Sequence, residues 1–391
     1  MPAVRPLDRL CVSKASGAAD FGNRDFRAKF PAGREPGPEP AVLQAMTYRA
    51  AGSTDVDATR MSLSAITDRP GFRFPPVTVG VDGVPRHVGV ELEFGSITAR
   101  EAASALQGIF GGRSYGEDDQ DVRVSGSEIG DFTVKLDTRY AHPADPRDGW
   151  MGRLRVLSAK YVGKAARYVV PSEFVTAPLP MHDLPKLERA VDALRKAGAS
   201  GTFERSLFAF AVHLNPEVPK RDVETVVAIM KAFVGLDDWL RESFQPKRLR
   251  RALGFASPYP EAYRRRLMDP AYWPDVDTLI DAYIDANPTR NRDLDMLPLL
   301  LNLDEERVRR RLPKEKIGNR PAFHYRLPGA RLGDPDWCIA AIWNGWVAVE
   351  ALAADRERLD LICRSYRAFS GSPAAWGRRS AALAFGGSDS H

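Results

Sequence analysis

The sequence predicts an α+β fold built on a mainly antiparallel sheet. Segments with the alternating hydrophobic pattern of strands dominate the early part of the folded region, and segments with helical spacing dominate the later part. Strands and helices do not alternate regularly, so a parallel βαβ sheet is not expected. The chain contains no internal repeat.

The strands come first. A hairpin is predicted to turn at Asp82-Gly83, between Val77–Val81 and the segment "HVGVELEF" at His87–Phe94. In "HVGVELEF" apolar residues alternate with polar or small ones, which is the pattern of a half-buried strand. Further strand candidates are "DFTVKLDTRY", "ARYVVPSEFVTAPL", "SLFAFAVHLNP", which ends at Pro216, and "RPAFHYRLP".

Helices are predicted where apolar residues recur every three or four positions. The clearest is "DLPKLERAVDALRKAG", in which Gly198 is placed to stop the helix. The segment 245–312 is expected to be mostly helical and interrupted by prolines. The remaining helices are expected at Arg100–Gly108, in "DVETVVAIMKAFVGLDDWL", at Trp337–Leu352 and at Arg356–Phe369.

Composition divides the chain into three parts. Residues 1–72 and 370–391 lack periodicity and are rich in small, proline and charged residues, so we expect a poorly ordered N-terminal extension and a flexible C-terminal tail. Residues 73–369 then form the folded domain. The formal net charge of +5 is small for 391 residues and favours anionic partners only weakly.

The cysteines and the hydropathy are typical of a cytoplasmic protein. Cys11, Cys338 and Cys363 are far apart and form no CxxC or Cys/His cluster, so neither a disulfide framework nor a structural zinc site is indicated. No apolar run approaches the roughly 18 residues that a membrane helix needs. The basic N-terminus is not followed by the apolar core of a secretory signal.

Polar residues occupy one side of the predicted strands in pairs spaced two apart, and side chains with this spacing share one face of a strand. If the strands are neighbours, their polar groups converge on one face of the sheet. The pairs are Glu91 with Glu93, Lys135 with Asp137, His213 with Asn215, and His324 with Arg326; Glu173 and Arg320 lie in or beside the same strands.

Several carboxylates on one face repel one another unless cations neutralise them. Mg²⁺ is a hard cation that takes oxygen ligands and often phosphates as well, and arginines grip phosphate oxygens bidentately. The pattern therefore indicates ATP chemistry. Neither a GxxxxGK[ST] motif nor a well-placed GxGxxG is present, which argues against a Walker or Rossmann site.

These segments also carry a family resemblance. "VGVELEF", "FTVKLDTRY", "PSEFVTAPLP", "FAVHLNP" and "PAFHYRLPG" resemble successive motifs of the putative amidoligase family, which is related to glutamate–cysteine ligases and more distantly to glutamine synthetases. The resemblance covers about residues 75–365 and is strongest in "GVELEF" and "PSEFVTAPL". It implies a curved, mostly antiparallel sheet backed by helices, with ATP and Mg²⁺, or alternatively Mn²⁺, on its concave face.

The implied reaction is carboxylate–amine ligation. ATP phosphorylates a carboxylate, and an amine attacks the acyl phosphate to form an amide. The resemblance implies metal ligands at Glu91, Glu93 and Glu173. It implies a nucleotide-facing role for His213 and a phosphate or substrate contact for Arg326, and it leaves Asp137 as a metal or substrate ligand.

The residues themselves add further candidates. Lys135, Asn215 and Arg320 are expected to face the nucleotide, and Asp137 and His324 are candidates to take a proton from the attacking amine. Two positions depart from the family pattern: Ala211 replaces the first histidine of a His-x-His pair, and His324 replaces an acidic residue two before Arg326. Altered substrate choice and reduced activity are both open.

Two other functions compete with a ligase. A glycoside hydrolase could use Glu91 and Glu93, but its paired carboxylates normally face each other from different strands. A non-catalytic protein could bind nucleic acid or another acidic polymer through basic helices around 245–266 and 305–316. Acidic residues flank both basic regions, so nucleic acid is the less favoured partner.

The expected partners are therefore a carboxylate and an amine substrate. The carboxylate could belong to an amino acid, a peptide, a cell-wall fragment or a protein tail, and the sequence does not choose among them. No membrane partner is expected.

Overall fold

A computed structural model of the chain describes residues 71–80, 82–116, 119–136, 171–201, 210–244 and 256–386. All of these residues belong to the unit Asp55–His391. The extension predicted for residues 1–72 lies outside the described residues except for its last two, so it stays a prediction.

The described residues form one nine-stranded sheet in which all neighbouring strands are antiparallel. The order across the sheet is β2-β3-β4-β5-β1-β7-β9-β8, and β6 pairs with β1. The strands are β1 (His87–Phe94), β2 (Arg113–Tyr115), β3 (Asp121–Ser127), β4 (Gly130–Leu136), β5 (Ser172–Thr176), β6 (Leu179–Pro180), β7 (Val212–Pro216), β8 (Leu294–Asp295) and β9 (His324–Tyr325).

Helices make up most of the second half of the described chain, which confirms the α+β prediction. They are α1 (Ala99–Phe110), α2 (Leu187–Lys196), α3 (Val223–Phe244), α4 (Glu261–Leu267), α5 (Val276–Ala286), α6 (Leu297–Leu303), α7 (Glu305–Arg311), α8 (Ile339–Ala354), α9 (Arg356–Ala368) and α10 (Pro373–Phe385). None of these helices is both long and apolar enough to cross a membrane.

Strand β1 is central because it pairs with β5 on one side and with β7 on the other. Its apolar residues Val88, Val90, Leu92 and Phe94 are completely buried, as the alternation predicts. Helix α1 packs behind β3 and β4. Its N-terminus is held by a capping box between Thr98 and Glu101.

The two residues of strand β9 point to opposite sides of the sheet, Tyr325 to the helical layer and His324 to the polar face. The ring of Tyr325 packs against Phe233 of α3 and Trp346 of α8. Adjacent residues on a strand point to opposite faces, so His324 is directed to the side away from these helices. Burial of Tyr325 therefore sets the direction in which His324 points.

Three local predictions differ from the structure. The segment expected to be mostly helical also contains the short strand β8, and the first hairpin is reduced to a bridge between Val79 and Pro85. Helix α10 lies where a flexible tail was expected, because Trp376 is buried against Tyr366 and donates a hydrogen bond to the carbonyl of Gly235. These contacts come from distant parts of the chain, which local composition does not reveal.

A buried ion pair joins the start of the sheet to the helical layer. The guanidinium of Arg86, just before β1, donates from Nη1 and Nη2 to the two carboxylate oxygens of Glu350 on α8, each at 2.8 Å. Trp346 Nε1 also donates to Glu350, at 2.7 Å. Both charged side chains are almost fully buried, at 0% and 3% exposure.

We expect Glu350→Ala to lower the free energy of unfolding by about 3–5 kcal/mol, because Arg86 would remain buried without its partner. Urea unfolding followed by circular dichroism measures the change. The control is Glu306→Ala, which breaks an exposed pair with Arg310 and should cost less than about 1 kcal/mol. Equal losses in the two variants would contradict the assigned role of the buried pair.

Candidate functional site

Strand register gathers the polar residues on one face of the sheet. Glu91 of β1 lies directly opposite His213 of β7, and Glu93 lies directly opposite Glu173 of β5. Glu173 also lies opposite Lys135 of β4. Directly paired residues of antiparallel strands point to the same face, so side chains from four strands meet here.

The Glu91 carboxylate is held by three neighbours. Its Oε2 lies 2.9 Å from His213 Nδ1, and its Oε1 accepts a hydrogen bond of 3.1 Å from Asn215 Nδ2. Arg320 Nη1 lies 3.8 Å from Oε1. Burial raises the pKa of Glu91, but the hydrogen bond and charge of His213 and the positive charge of Arg320 outweigh it and hold the pKa well below its usual range.

Glu93 and Glu173 have separate partners. Glu93 is only 3% exposed, and its Oε2 accepts the backbone N–H of Ala211 at 2.9 Å. His213 Nε2 lies 3.9 Å from the other Glu93 oxygen, so the His213 ring stands between Glu91 and Glu93. The Glu173 carboxylate lies 3.7 Å from Lys135 Nζ.

His324 brings a second imidazole to the site. Its ring meets that of His213 edge to face, with 5.2 Å between centroids. Its Nδ1 lies 3.3 Å from Asp295 Oδ2 on the neighbouring strand β8. Burial lowers the pKa of His324 to about 4, although the hydrogen bond with Asp295 acts in the opposite direction. At neutral pH His324 is therefore an uncharged imidazole.

Glu91, His213 and His324 each offer a ligand atom, and these atoms all lie within 4.8 Å of one another. Ligand atoms bound at about 2.1 Å to one tetrahedral ion lie about 3.4 Å apart, so side-chain adjustments would bring all three to one ion. His324 Nε2 is buried and has no hydrogen-bond partner in the part of the chain that the structure describes. The three side chains therefore fit a divalent cation.

The cluster differs in membership from the predicted metal ligands. Glu91 was predicted as a ligand, whereas His213 was assigned to the nucleotide and His324 to proton transfer. Among the residues the structure describes, Glu93 and Glu173 are not members of this three-residue cluster. Their predicted role as metal ligands stays a prediction.

The remaining predicted residues divide into two groups. Arg320 and Asn215 lie against Glu91. Arg326 follows β9, and its guanidinium donates to the carbonyl of Arg290, beside the His324 strand. Asp137 lies outside the described residues, so its predicted role is neither supported nor opposed.

Sequence reasoning missed Asp295 and Arg290. Asp295 is completely buried, and its Oδ2 accepts a hydrogen bond of 3.0 Å from Arg290 Nε while facing His324. A signal existed: "RDLD" carries acidic residues two apart, at Asp293 and Asp295, like the pairs on the other strands. The expectation of helix across 245–312 hid that pattern.

The fold and site together define a class of protein. It is an α+β protein whose antiparallel sheet presents carboxylates, imidazoles and guanidinium groups on one face, in an arrangement that fits a divalent cation.

The comparison with protein families makes the class specific. A family model described as putative amidoligase enzyme matches residues 84–348, well over half of the chain. The chain belongs to the putative amidoligase family, and this membership indicates a ligase-type enzyme. Searches of curated proteins and of solved structures found no significant match.

We expect Mn²⁺ to raise the thermal unfolding midpoint of the wild-type protein, because a ligand that binds only the folded state stabilises it by about 2.7 kcal/mol at a hundred times its dissociation constant. Glu91→Gln should lose most of this shift. Differential scanning calorimetry with and without EDTA measures it.

The matched control for this experiment is Glu128→Gln, which removes the same charge from a partly exposed ion pair with Arg189. The control should keep the full shift. A shift of equal size in Glu91→Gln and wild type would show that the cation binds elsewhere.

Proposed function

We propose that the protein is an ATP- and divalent-cation-dependent carboxylate–amine ligase. The observation that carries the proposal is the meeting of Glu91, Glu93, Glu173 and two histidines on one face of a sheet in a member of the putative amidoligase family. We further propose that this sheet corresponds to the curved catalytic sheet of glutamine synthetases and glutamate–cysteine ligases. Its antiparallel strands and its helical backing support that assignment.

The reaction has two steps. A substrate carboxylate oxygen attacks the γ-phosphorus of ATP, which forms an acyl phosphate and releases ADP. A neutral amine then attacks the acyl carbon, phosphate leaves, and the amine loses a proton to give the amide. Phosphoryl transfer needs positioning and charge neutralisation more than covalent participation by the protein.

The acidic residues would hold the metal. We assign Glu91, Glu93 and Glu173 to Mg²⁺, which supplies charge neutralisation for the phosphate oxygens when it is bound. His213 and Asn215 both contact the Glu91 carboxylate, so they fix its orientation. This role supports their assignment to the nucleotide end of the site.

The cationic side chains would face the phosphates. Lys135 is 42% exposed and Arg320 is 36% exposed, so each keeps access to a bound nucleotide while lying near a carboxylate. We assign Arg326 to the charge that develops on the transferring phosphoryl group. Asp137 and His324 stay the candidates for taking the amine proton, and His324 can do so only while its Nε2 holds no cation.

The competing functions receive less support. In the 305–316 region, Arg307 pairs with Asp277 and Asp281, and Arg311 pairs with Asp281 and Asp285. These basic side chains are engaged within the protein, which weakens the case for a surface that binds an acidic polymer. Of the other basic region, residues 245–255 lie outside the described part of the chain.

A glycosidase is also less consistent with the geometry. Glu91 and Glu93 sit on one strand, and each carboxylate is bonded to groups on or beside β7. They do not form the opposed pair that flanks a glycosidic bond. The substrates of the ligase are proposed to be an amine and the carboxylate of an amino acid, peptide, cell-wall fragment or protein tail, used in the cytoplasm.

Isothermal titration with ATP tests the proposal. The wild-type protein should bind ATP in Mg²⁺ and lose that binding in EDTA, because Mg²⁺ held by the carboxylates would neutralise the charge of the phosphates. The double variant Glu91→Gln, Glu93→Gln should bind at least about tenfold more weakly, a difference of about 1.4 kcal/mol.

The control carries the same two substitutions outside the site, at Glu128 and Glu306, whose side chains are in exposed ion pairs. It should bind ATP as the wild type does. If neither the wild type nor the control binds ATP, the ligase proposal is wrong for this chain.

A further inference from the structure

We propose that Glu91, His213 and His324 form a site for a transition-metal dication of the Zn²⁺ or Co²⁺ type, in preference to Mg²⁺. The inference rests on the proposed function only in placing this site beside the nucleotide, and it reassigns Glu91 from Mg²⁺ to the softer cation, which leaves Glu93 and Glu173 for Mg²⁺. The site itself is defined by three side chains whose ligand atoms lie within 4.8 Å of one another.

The donor set is the first argument. It contains one carboxylate and two imidazoles, whereas Mg²⁺ prefers oxygen ligands and usually keeps several waters. Imidazole nitrogens suit Zn²⁺, Co²⁺ and their neighbours, which bind such sites more tightly than the hard cations do. Two histidines and one glutamate also form a common catalytic zinc set, in which a further coordination position stays open.

The second argument is the environment of His324 Nε2. His324 is 7% exposed, and this nitrogen has no hydrogen-bond partner among the residues that the structure describes. Buried polar atoms are usually paired, because leaving one without a partner costs stability. A bound cation would satisfy the nitrogen, and the edge-to-face contact with His213 places the second imidazole beside it.

The third argument is the support behind His324. The Asp295 carboxylate can only accept a hydrogen bond, so the 3.3 Å contact with His324 Nδ1 favours a proton on Nδ1 and leaves the lone pair on Nε2. Arg290 Nη2 can only donate and would favour the opposite tautomer, but it lies slightly farther from the same nitrogen, at 3.4 Å, and the Arg290 Nε is already bonded to Asp295. Asp295 is fixed on its other oxygen by the N–H of Leu297, at 3.1 Å.

Such a carboxylate–histidine pair orients metal-binding histidines in many proteins, and its loss typically weakens metal binding about 10–100-fold. The arrangement also separates two kinds of donor. Glu93 and Glu173 lie outside the three-residue cluster and offer only oxygen, beside Lys135. The site therefore provides oxygen ligands for Mg²⁺ that arrives with ATP, and a nitrogen-rich position for a second, softer cation.

Cobalt is the probe, because Co²⁺ bound to nitrogen ligands absorbs visible light and reports its own coordination. The full chain, stripped of metal and without nucleotide, is titrated with Co²⁺. We expect one equivalent to bind with ligand-field absorption, a hundredfold excess of Mg²⁺ to leave the spectrum unchanged, and Zn²⁺ to abolish it. Displacement of Co²⁺ by Mg²⁺ at comparable concentrations would overturn the proposal.

Variants locate the cobalt. His324→Gln should weaken Co²⁺ binding by at least about tenfold, and Asp295→Asn should weaken it about 10–100-fold. His182→Gln, which removes a largely exposed histidine elsewhere, should leave it unchanged. Unchanged binding in a folded His324→Gln protein would overturn the proposal, and if that variant does not fold, the Mg²⁺ competition in the wild type and the Asp295→Asn titration decide.

The cobalt titration and the ATP titration test different proposals, so either one can fail without the other. Co²⁺ binding that depends on His324, in a protein that does not bind ATP, would support the metal site and reject the ligase. Binding of Mg²⁺-ATP without selective Co²⁺ binding would support the ligase and reject the transition-metal site.

Discussion

Three carboxylates with little access to water lie on neighbouring strands, and their repulsion must be offset by groups that the sheet itself supplies. Glu93 and Glu173 are directly paired across β1 and β5, and Glu91 is one pleat away. Because His213 and Asn215 lie on the adjoining strand β7, they reach Glu91 only in the observed register. A slip by one residue would turn these side chains to the apolar face.

The helical layer fixes that register. The completely buried residues of β1 occupy the face opposite the carboxylates, and the Arg86–Glu350 pair ties the start of the strand to α8. Tyr325 ties β9 to the same helical layer, since its ring is packed against Trp346 and Phe233. Interactions on the apolar side thus hold the polar side chains in place without contacting them.

This construction suits a site that must position charges. Glu91, His213 and His324 stand on strands. The contact between Glu91 and His213, and that between His324 and Asp295, limit the rotation of these side chains. Sites on regular elements hold their geometry more closely than sites on loops. The donor groups also differ across this face of the sheet. The imidazoles lie toward β7 and β9, and the oxygen donors and Lys135 lie toward β4 and β5. Two cations of different chemistry could therefore be told apart within one site.

The sequence by itself determined the α+β class, the alternation of β1, the polar pairs spaced two apart and the family, because each is a local pattern. Only the tertiary structure brought a ligand atom of His324 within 4.8 Å of those of Glu91 and His213, and only it brought Asp295 behind His324. The tertiary structure also shows helix α10 in the segment that was expected to be a flexible tail. These features depend on strand order and on packing between residues far apart in the chain, and no local spacing encodes which distant strands become neighbours.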